Sequence, residues 1–381
     1  SSKTPLMRMR IIILRCYVRR WVNLGLRCYN RKIIAAWSKQ IMQSSIEMTD
    51  KFILAINNVL KSKGDMTPMI EVTSQLKLVN LDYWERLIRE EVAKYLVSQP
   101  KWESLSKAIK SLFIEQASWL GLVSWDGYER EKSLKLLSES APNAFFLILI
   151  ARRLNDWVPE VRVAAKKAFI LVSRKTDSKI IAEALITILS NWNSWGRIGQ
   201  ENRNVILNTA LRKDVTLSLK NNLITFASGA IPSLLSQLGQ LPIFDDYLNE
   251  IAHNAIQPYV RAKAFRSLFE ARMTWISGYE WKWIDKAYGR RKLIPVIAER
   301  KIDVYIPLIE LLNRSAFDRS SIVRSVSAEF LIINLDRLKQ DEVKFFAEQF
   351  ALDKSNAVSE RGQFVIKKLN EKLYQSPTKF L

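Results

Sequence analysis

With 381 residues, 48% of them hydrophobic and only 11 Gly and 11 Pro, the chain is too apolar for a disordered polymer and too poor in turn formers for an all-β protein. Its 59 Lys and Arg against 38 Asp and Glu give a formal charge of +21, which by itself would suggest an anionic partner, but its distribution weakens that reading. Residues 1–47 hold ten basic residues and one acid, Glu47, so this short segment supplies +9 and the other +12 is spread over 334 residues.

The first segment, Met7 to Trp21 above all, has too many internal arginines for the apolar core of a secretory signal. Its basic, acid-poor character fits an organellar transit peptide or a basic amphipathic helix, but the composition changes at Met48, where balanced charge begins. Residues 1–47 are therefore expected to be an extension outside the fold, residues 48–120 an N-terminal helical region and residues 121–375 the main array. Both cysteines, Cys16 and Cys28, fall in the extension, so the body has no thiolate for a disulfide or a metal, and a reducing, cytoplasmic setting is expected. The most apolar runs, such as Ala144 to Ala151, stop after about eight residues, well short of a transmembrane helix.

From residue 48 onward apolar residues recur at three- and four-residue spacing between short breaks, the pattern of amphipathic helices. Predicted helices include Tyr83 to Val97, Leu105 to Leu120, Arg130 to Leu137, Pro142 to Arg152, Pro159 to Ser173, Ser178 to Leu189, Ile231 to Leu238, Pro258 to Ala271, Ile322 to Leu335 and Asp341 to Ala351. Gly121, Asn155-Asp156, Asn191-Trp192-Asn193 and Ser277-Gly278 separate them. No strand is predicted, because alternation of period two is hardly visible.

The stretch Asp156-Trp157-Val158-Pro159-Glu160-Val161-Arg162, followed by Ala164, Ala165 and Ala168, places a turn acid, a helix-opening proline, a Val-Arg pair and a narrow Ala face in sequence. Pro258 to Phe265 repeats the Pro, Val-Arg and Ala features, Asp318 to Ala328 keeps Asp and Val-Arg without Pro, and Asp126 to Leu134 and Asp353 to Ser359 are fainter copies. Arg130 lies 32 positions before Arg162, and Arg261 lies 63 before Arg324, about two repeats of some 30 residues. This pattern resembles the HEAT repeat. The resemblance implies an all-α chain wound as a right-handed α-α superhelix, a HEAT-like solenoid that binds partners on a curved surface. It also implies that Arg162, Arg261 and Arg324 bond to a turn Asp or a backbone carbonyl rather than to a ligand.

The most unusual part of the body, Arg272 to Lys292, packs three Trp, two Tyr and six basic residues into 21 positions with two acids. Aromatic rings between cations can stack on bases beside phosphates or form hot spots in protein interfaces. Trp275, Tyr279, Trp281, Lys282, Trp283, Arg290 and Arg291 are the primary binding candidates. The competing reading makes Trp275, Trp281 and Tyr288 plugs at a junction between repeats. Trp192, Trp195 and Arg197, in an inter-helix break, form a second candidate cluster, and Trp125 and Trp157 occupy turns beside Asp126 and Asp156; for both groups structural packing is the default reading and binding the alternative.

Little suggests catalysis. His253 is the one histidine, and no P-loop, dinucleotide-binding glycine pattern or nucleophile elbow is present, so neither a cofactor nor a metal is expected. The expectation is a non-enzymatic scaffold or adaptor with a protein partner. The alternatives are a nucleic-acid-binding protein and, beyond it, similarity of class to the HEAT-like alkylpurine DNA glycosylases, for which Trp281, Trp283, Asp285, Arg290 and Arg291 would be the ingredients.

Overall fold

In the computed structural model residues 31–62, 64–98 and 118–375 are described. Cys16, Cys28, most of the basic extension and the body of the predicted helix Leu105 to Leu120 lie outside them. The chain is mostly helical, and it divides into two compact units between Leu137 and Ser138.

The first unit begins with α1 (Arg31–Lys61), which runs through Met48 without interruption. Phe52, Ile56, Val59 and Leu60, at helical spacing, bury one face of it. That face meets α2 (Thr67–Ser74) and α3 (Leu81–Ser98), and Trp84 of α3 lies 4.7 Å from the Phe52 ring. The short α4 (Ser118–Gly121) leads to α5 (Gly127–Leu136), whose first turn is capped by Asp126 accepting the Tyr128 N–H.

The second unit opens with α6 (Ala144–Arg153), apolar on every side and buried nearly throughout, because α7 (Pro159–Lys175) and α8 (Ser178–Asn191) both cover it. On α7 the buried residues are Val161, Ala164, Ala165, Ala168, Phe169, Val172 and Ser173, so the small side chains do line a close helix contact. Then come α9 (Gln200–Thr209), α10 (Lys213–Thr225), α11 (Ile231–Leu238), α12 (Leu248–Asn254) and α13 (Pro258–Glu270). After an insertion, α14 (Leu308–Ala316), α15 (Ser321–Ile333), α16 (Gln340–Ala351) and α17 (Asn356–Gln375) complete the described chain. Helices pack on sequence neighbours, as α12 on α13, α14 on α15 and α16 on α17. They also pack two places on, as α6, α8, α10 and α12 in turn and α11, α13, α15 and α17 in turn.

One local geometry recurs at the turns. The Arg162 Nη1 donates to the carbonyls of Asp156 (2.8 Å) and Trp157 (3.3 Å), and Arg261 Nη1 to those of Ala255 (2.7 Å) and Ile256 (3.0 Å). Arg324 reaches the carbonyl of Asp318 (2.8 Å), and in the first unit Arg130 reaches those of Ser124 (2.8 Å) and Trp125 (3.0 Å). Each arginine thus satisfies turn carbonyls five or six residues back that the helix itself leaves unpaired. Asp126, Asp156, Asp318 and Asp353 each accept the N–H two residues on, which fixes the turn from the other side.

The expectation of an exclusively helical chain needs correction at one place. Arg272–Asp285 (β1) and Arg290–Lys301 (β2) form a long antiparallel hairpin between α13 and α14. Its signal was present in Tyr279-Glu280-Trp281-Lys282-Trp283, a period-two alternation of ring and charge, followed by a Gly289 turn. The hairpin also corrects the 63-residue interval between Arg261 and Arg324. It takes 30 of those positions, and the remaining 33 make one helix pair, not two.

Candidate functional site

Ala271 ends α13 in the left-handed conformation (φ 50°), turning the chain out of the helix and into β1. The Ile302 N–H returns to the Ala271 carbonyl (3.0 Å) and closes the base of the hairpin. Met273 is fully buried against Gly239 at the end of α11, where no side chain holds it off. Across from it Arg300 donates to the Gly239 carbonyl (2.6 Å) and pairs through both terminal nitrogens with Asp245 (2.8 and 2.5 Å). On the α13 side, Lys263 Nζ bonds Thr274 Oγ1 (2.6 Å) and the Thr274 carbonyl (3.0 Å); burial pushes its pKa below the usual lysine value, and the Glu270 carboxylate opposes that shift.

The second candidate cluster anchors this base. Trp192 is 1% exposed and Trp195 is buried, so both rings of this candidate cluster pack within the fold. The Trp192 Nε1 donates to Gln237 Oε1 (3.1 Å), and Gln237 Nε2 and Asn193 Nδ2 both donate to the Ile276 carbonyl (3.0 and 2.9 Å). Arg203 lies over the Trp192 ring at 5.1 Å and reaches Asn193 Oδ1 (3.1 Å) and the Ser277 carbonyl (3.3 Å). The break reads as loop in sequence, but its aromatic ring is the floor on which β1 is fastened. Arg197 is exposed beyond it, with its backbone N–H donating to Asn155 Oδ1 (2.7 Å).

Beyond this seat both strands leave the helices. From Tyr279 to Ile284 every residue is exposed, with Trp281 at 58% and Trp283 at 51%, and Tyr288 in the turn is 78% exposed. Neither Trp281 nor Tyr288 plugs a junction. The paired register sorts the side chains. Tyr279 faces Pro295, Trp281 faces Leu293 and Trp283 faces Arg291, and because opposed residues share a face these six lie on one side. The other side carries Glu280 opposite Ile294, Lys282 opposite Lys292 and Asp285 opposite Arg290. A bulge at Ser277 puts Trp275, opposite Ala298, on that second side. Without the extra residue Trp275 would fall in line with Trp281 and Trp283. Arg291 lies over the Trp281 ring at 4.6 Å, and Arg290 over Tyr288 at 5.8 Å.

No protein family, curated protein or solved structure matches this chain.

The primary candidates are thus brought together on one projecting element, apart from Trp275, which sits half-buried at its base on the opposite face. The reading from sequence missed the second strand, where Leu293, Pro295, Val296 and Ile297 are exposed. The run Leu293 to Ala298, with Pro295 inside it, has no period of its own, and only its partner strand gives it a face. It also missed Gln237, Asn193 and Arg203, ordinary polar residues that no motif marks. Lys282, Lys286, Arg290, Arg291 and Lys292 form no ion pair among the described residues, so five cations at the tip are open to a partner. His253 is exposed on α12 and bonds the Asn249 carbonyl one turn back (2.8 Å). Among the described residues no three His, Cys, Asp or Glu side chains converge as metal ligands, and no helix is long and apolar enough to cross a membrane.

Proposed function

We propose that this chain is a non-enzymatic scaffold of the HEAT-like kind, a right-handed solenoid of helix pairs that presents the Arg272–Lys301 hairpin to a protein partner. The solenoid reading is supported by the recurring arginine clasp at four turns, by the helix packing two places along the chain, and by the 33-residue interval left once the hairpin is set aside. One observation carries the functional reading: large rings stand exposed on a hairpin whose base is fastened by buried, hydrogen-bonded residues. A ring left in water gains nothing for the fold, whereas Trp, Tyr and Arg on a rigid support are the residues that dominate interfaces.

The five unpaired tip cations favour a second reading, binding of nucleic acid. The glycosylase variant of it has less support, since Trp281, Trp283 and Asp285 stand on an open hairpin and a flipped base needs an enclosing pocket. Immobilised full chain and the Trp281→Ala/Trp283→Ala variant should be compared for capture of a protein ligand, alongside titration with labelled oligonucleotides. The scaffold reading expects a ligand lost with the two rings and no oligonucleotide binding at 50 or 200 mM salt. If all five cations met phosphates, affinity for duplex would instead fall about 500-fold between those salt concentrations. That result would transfer the function to the second reading.

A further inference from the structure

We infer that the outer hairpin docks face-on into an apolar cleft rimmed by carboxylates on its protein partner, with Tyr279, Trp281, Trp283, Leu293 and Ile297 entering the cleft and Arg291 at its margin. The inference rests on the protein-binding reading and specifies the partner's chemistry.

Three observations carry it. The first is the apolar face itself: each of those five side chains is exposed, and the register puts Trp281 beside Leu293 and Trp283 beside Arg291, with Ile297 one bulge nearer the base. A buried aromatic ring covers about 150–250 Å², so half-exposed rings and aliphatics together offer several hundred Å², the size of patch that marks an interaction site.

The second is how charge is sorted. Arg291 alone among the tip cations shares the aromatic face, and its guanidinium already covers Trp281. Lys282, Lys292 and Arg290 lie on the opposite face and Lys286 lies in the turn. A stacking platform for a nucleic-acid strand needs cations beside the rings to follow the phosphates. Rings gathered on one face, with Arg291 at its edge and the other cations behind it and at the tip, instead describe a protein interface, an apolar core bordered by charge. From Tyr279 to Pro295 five basic residues oppose Glu280 and Asp285, so the complementary rim is acidic, and two copies of the hairpin repel each other.

The third concerns the edges. Bulges at Ser277 and Ile284 distort β1, and Pro295 removes a donor from β2. Both devices oppose addition of a third strand, which leaves the face as the recognition surface.

The test uses the full chain and four labelled probes in fluorescence anisotropy: an amphipathic peptide of Leu, Phe and Glu, the same peptide with Lys for Glu, a short oligothymidylate, and vesicles containing phosphatidylserine. The acidic peptide should bind at least about tenfold tighter than its Lys counterpart and lose at least about tenfold on Trp281→Ser/Trp283→Ser. Lys282→Gln/Lys292→Gln, which spares the rings, should weaken it less and reduce its salt dependence. Equal binding of both peptides, each dependent on the rings, overturns the acidic-rim inference and leaves the protein-binding reading standing. Ring-dependent binding of the oligonucleotide or the vesicles in preference to the peptide overturns both. Failure of the acidic peptide to bind overturns the inference.

Discussion

Arg261 holds Asp318 across 57 positions through two parallel bonds of 2.8 Å, Nε to one carboxylate oxygen and Nη2 to the other. The hairpin intervenes in sequence, yet the ion pair joins α13 directly to the turn before α15. With Nη1 on two turn carbonyls, the guanidinium is fully engaged, and the arginine side chain is 1% exposed.

Replacing Arg261 by Met leaves two carbonyls without this donor and the Asp318 carboxylate without its counter-charge, held only by the Ser320 N–H, so a loss of about 3–5 kcal/mol is expected in urea denaturation. Arg162 bonds turn carbonyls only, so Arg162→Met should cost less, about 1–2 kcal/mol. Equal effects at the two positions would show that the ion pair to the next turn adds nothing.

Arg324 repeats this arrangement with Asp353, at 2.5 and 2.9 Å. The hydrogen-bonded guanidinium holds the Asp353 carboxyl below the usual carboxylate value, against some opposition from burial. A folded value below the unfolded one means the stabilisation is present above the unfolded value, about 4, and is lost as pH falls through the lowered folded value. Asp353→Asn should therefore cost about 1.5–3 kcal/mol at pH 7, and the gap from wild type should close on acidification below about pH 4. Chemical denaturation across that range measures it, and a gap independent of pH would contradict it.

Gly362 sits where α17 crosses α16. A Cβ there would strike Ala351 N and lie 2.6 Å from Phe350 C and 2.8 Å from Ala347 O, all backbone atoms that cannot rotate away. In an open helix Gly→Ala gains about 1 kcal/mol. Here the overpacking of about 1–3 kcal/mol outweighs that gain, and Gly362→Ala should lower the melting temperature.

Gln237 links the Trp192 ring to the Ile276 carbonyl. Gln237→Ala leaves the buried indole N–H without its acceptor, at a cost of about 1–3 kcal/mol. Amide exchange should accelerate at the hairpin base while α15 to α17 keep their protection. Unchanged exchange at Ile276 and Ser277 would remove Gln237 from the anchor.

Most helices were legible because burial on one side imposes a 3.6-residue period, as on α7, and because a turn Asp and a Pro at the first helical position mark where a helix starts. The hairpin left only a short alternation and a turn glycine as its signal. Its outer part buries neither face, so the alternation Tyr279-Glu280-Trp281-Lys282-Trp283 had no apolar period to announce a core, and β2 mixes Leu293, Ile294, Val296 and Ile297 on both sides. The aromatic-basic cluster was visible as composition. Which rings share a face was not, since a single bulge at Ser277 decides it and nothing in the local sequence demands one.

The most direct test needs no partner. Gly278 and Val296 are paired in register, so replacing residues Tyr279 to Pro295 by Asn-Gly closes the seat with a two-residue turn. If the outer rings serve recognition and not folding, the melting temperature of this variant stays within about 2 °C of the parent chain. A drop several times larger would show that the exposed face belongs to the fold.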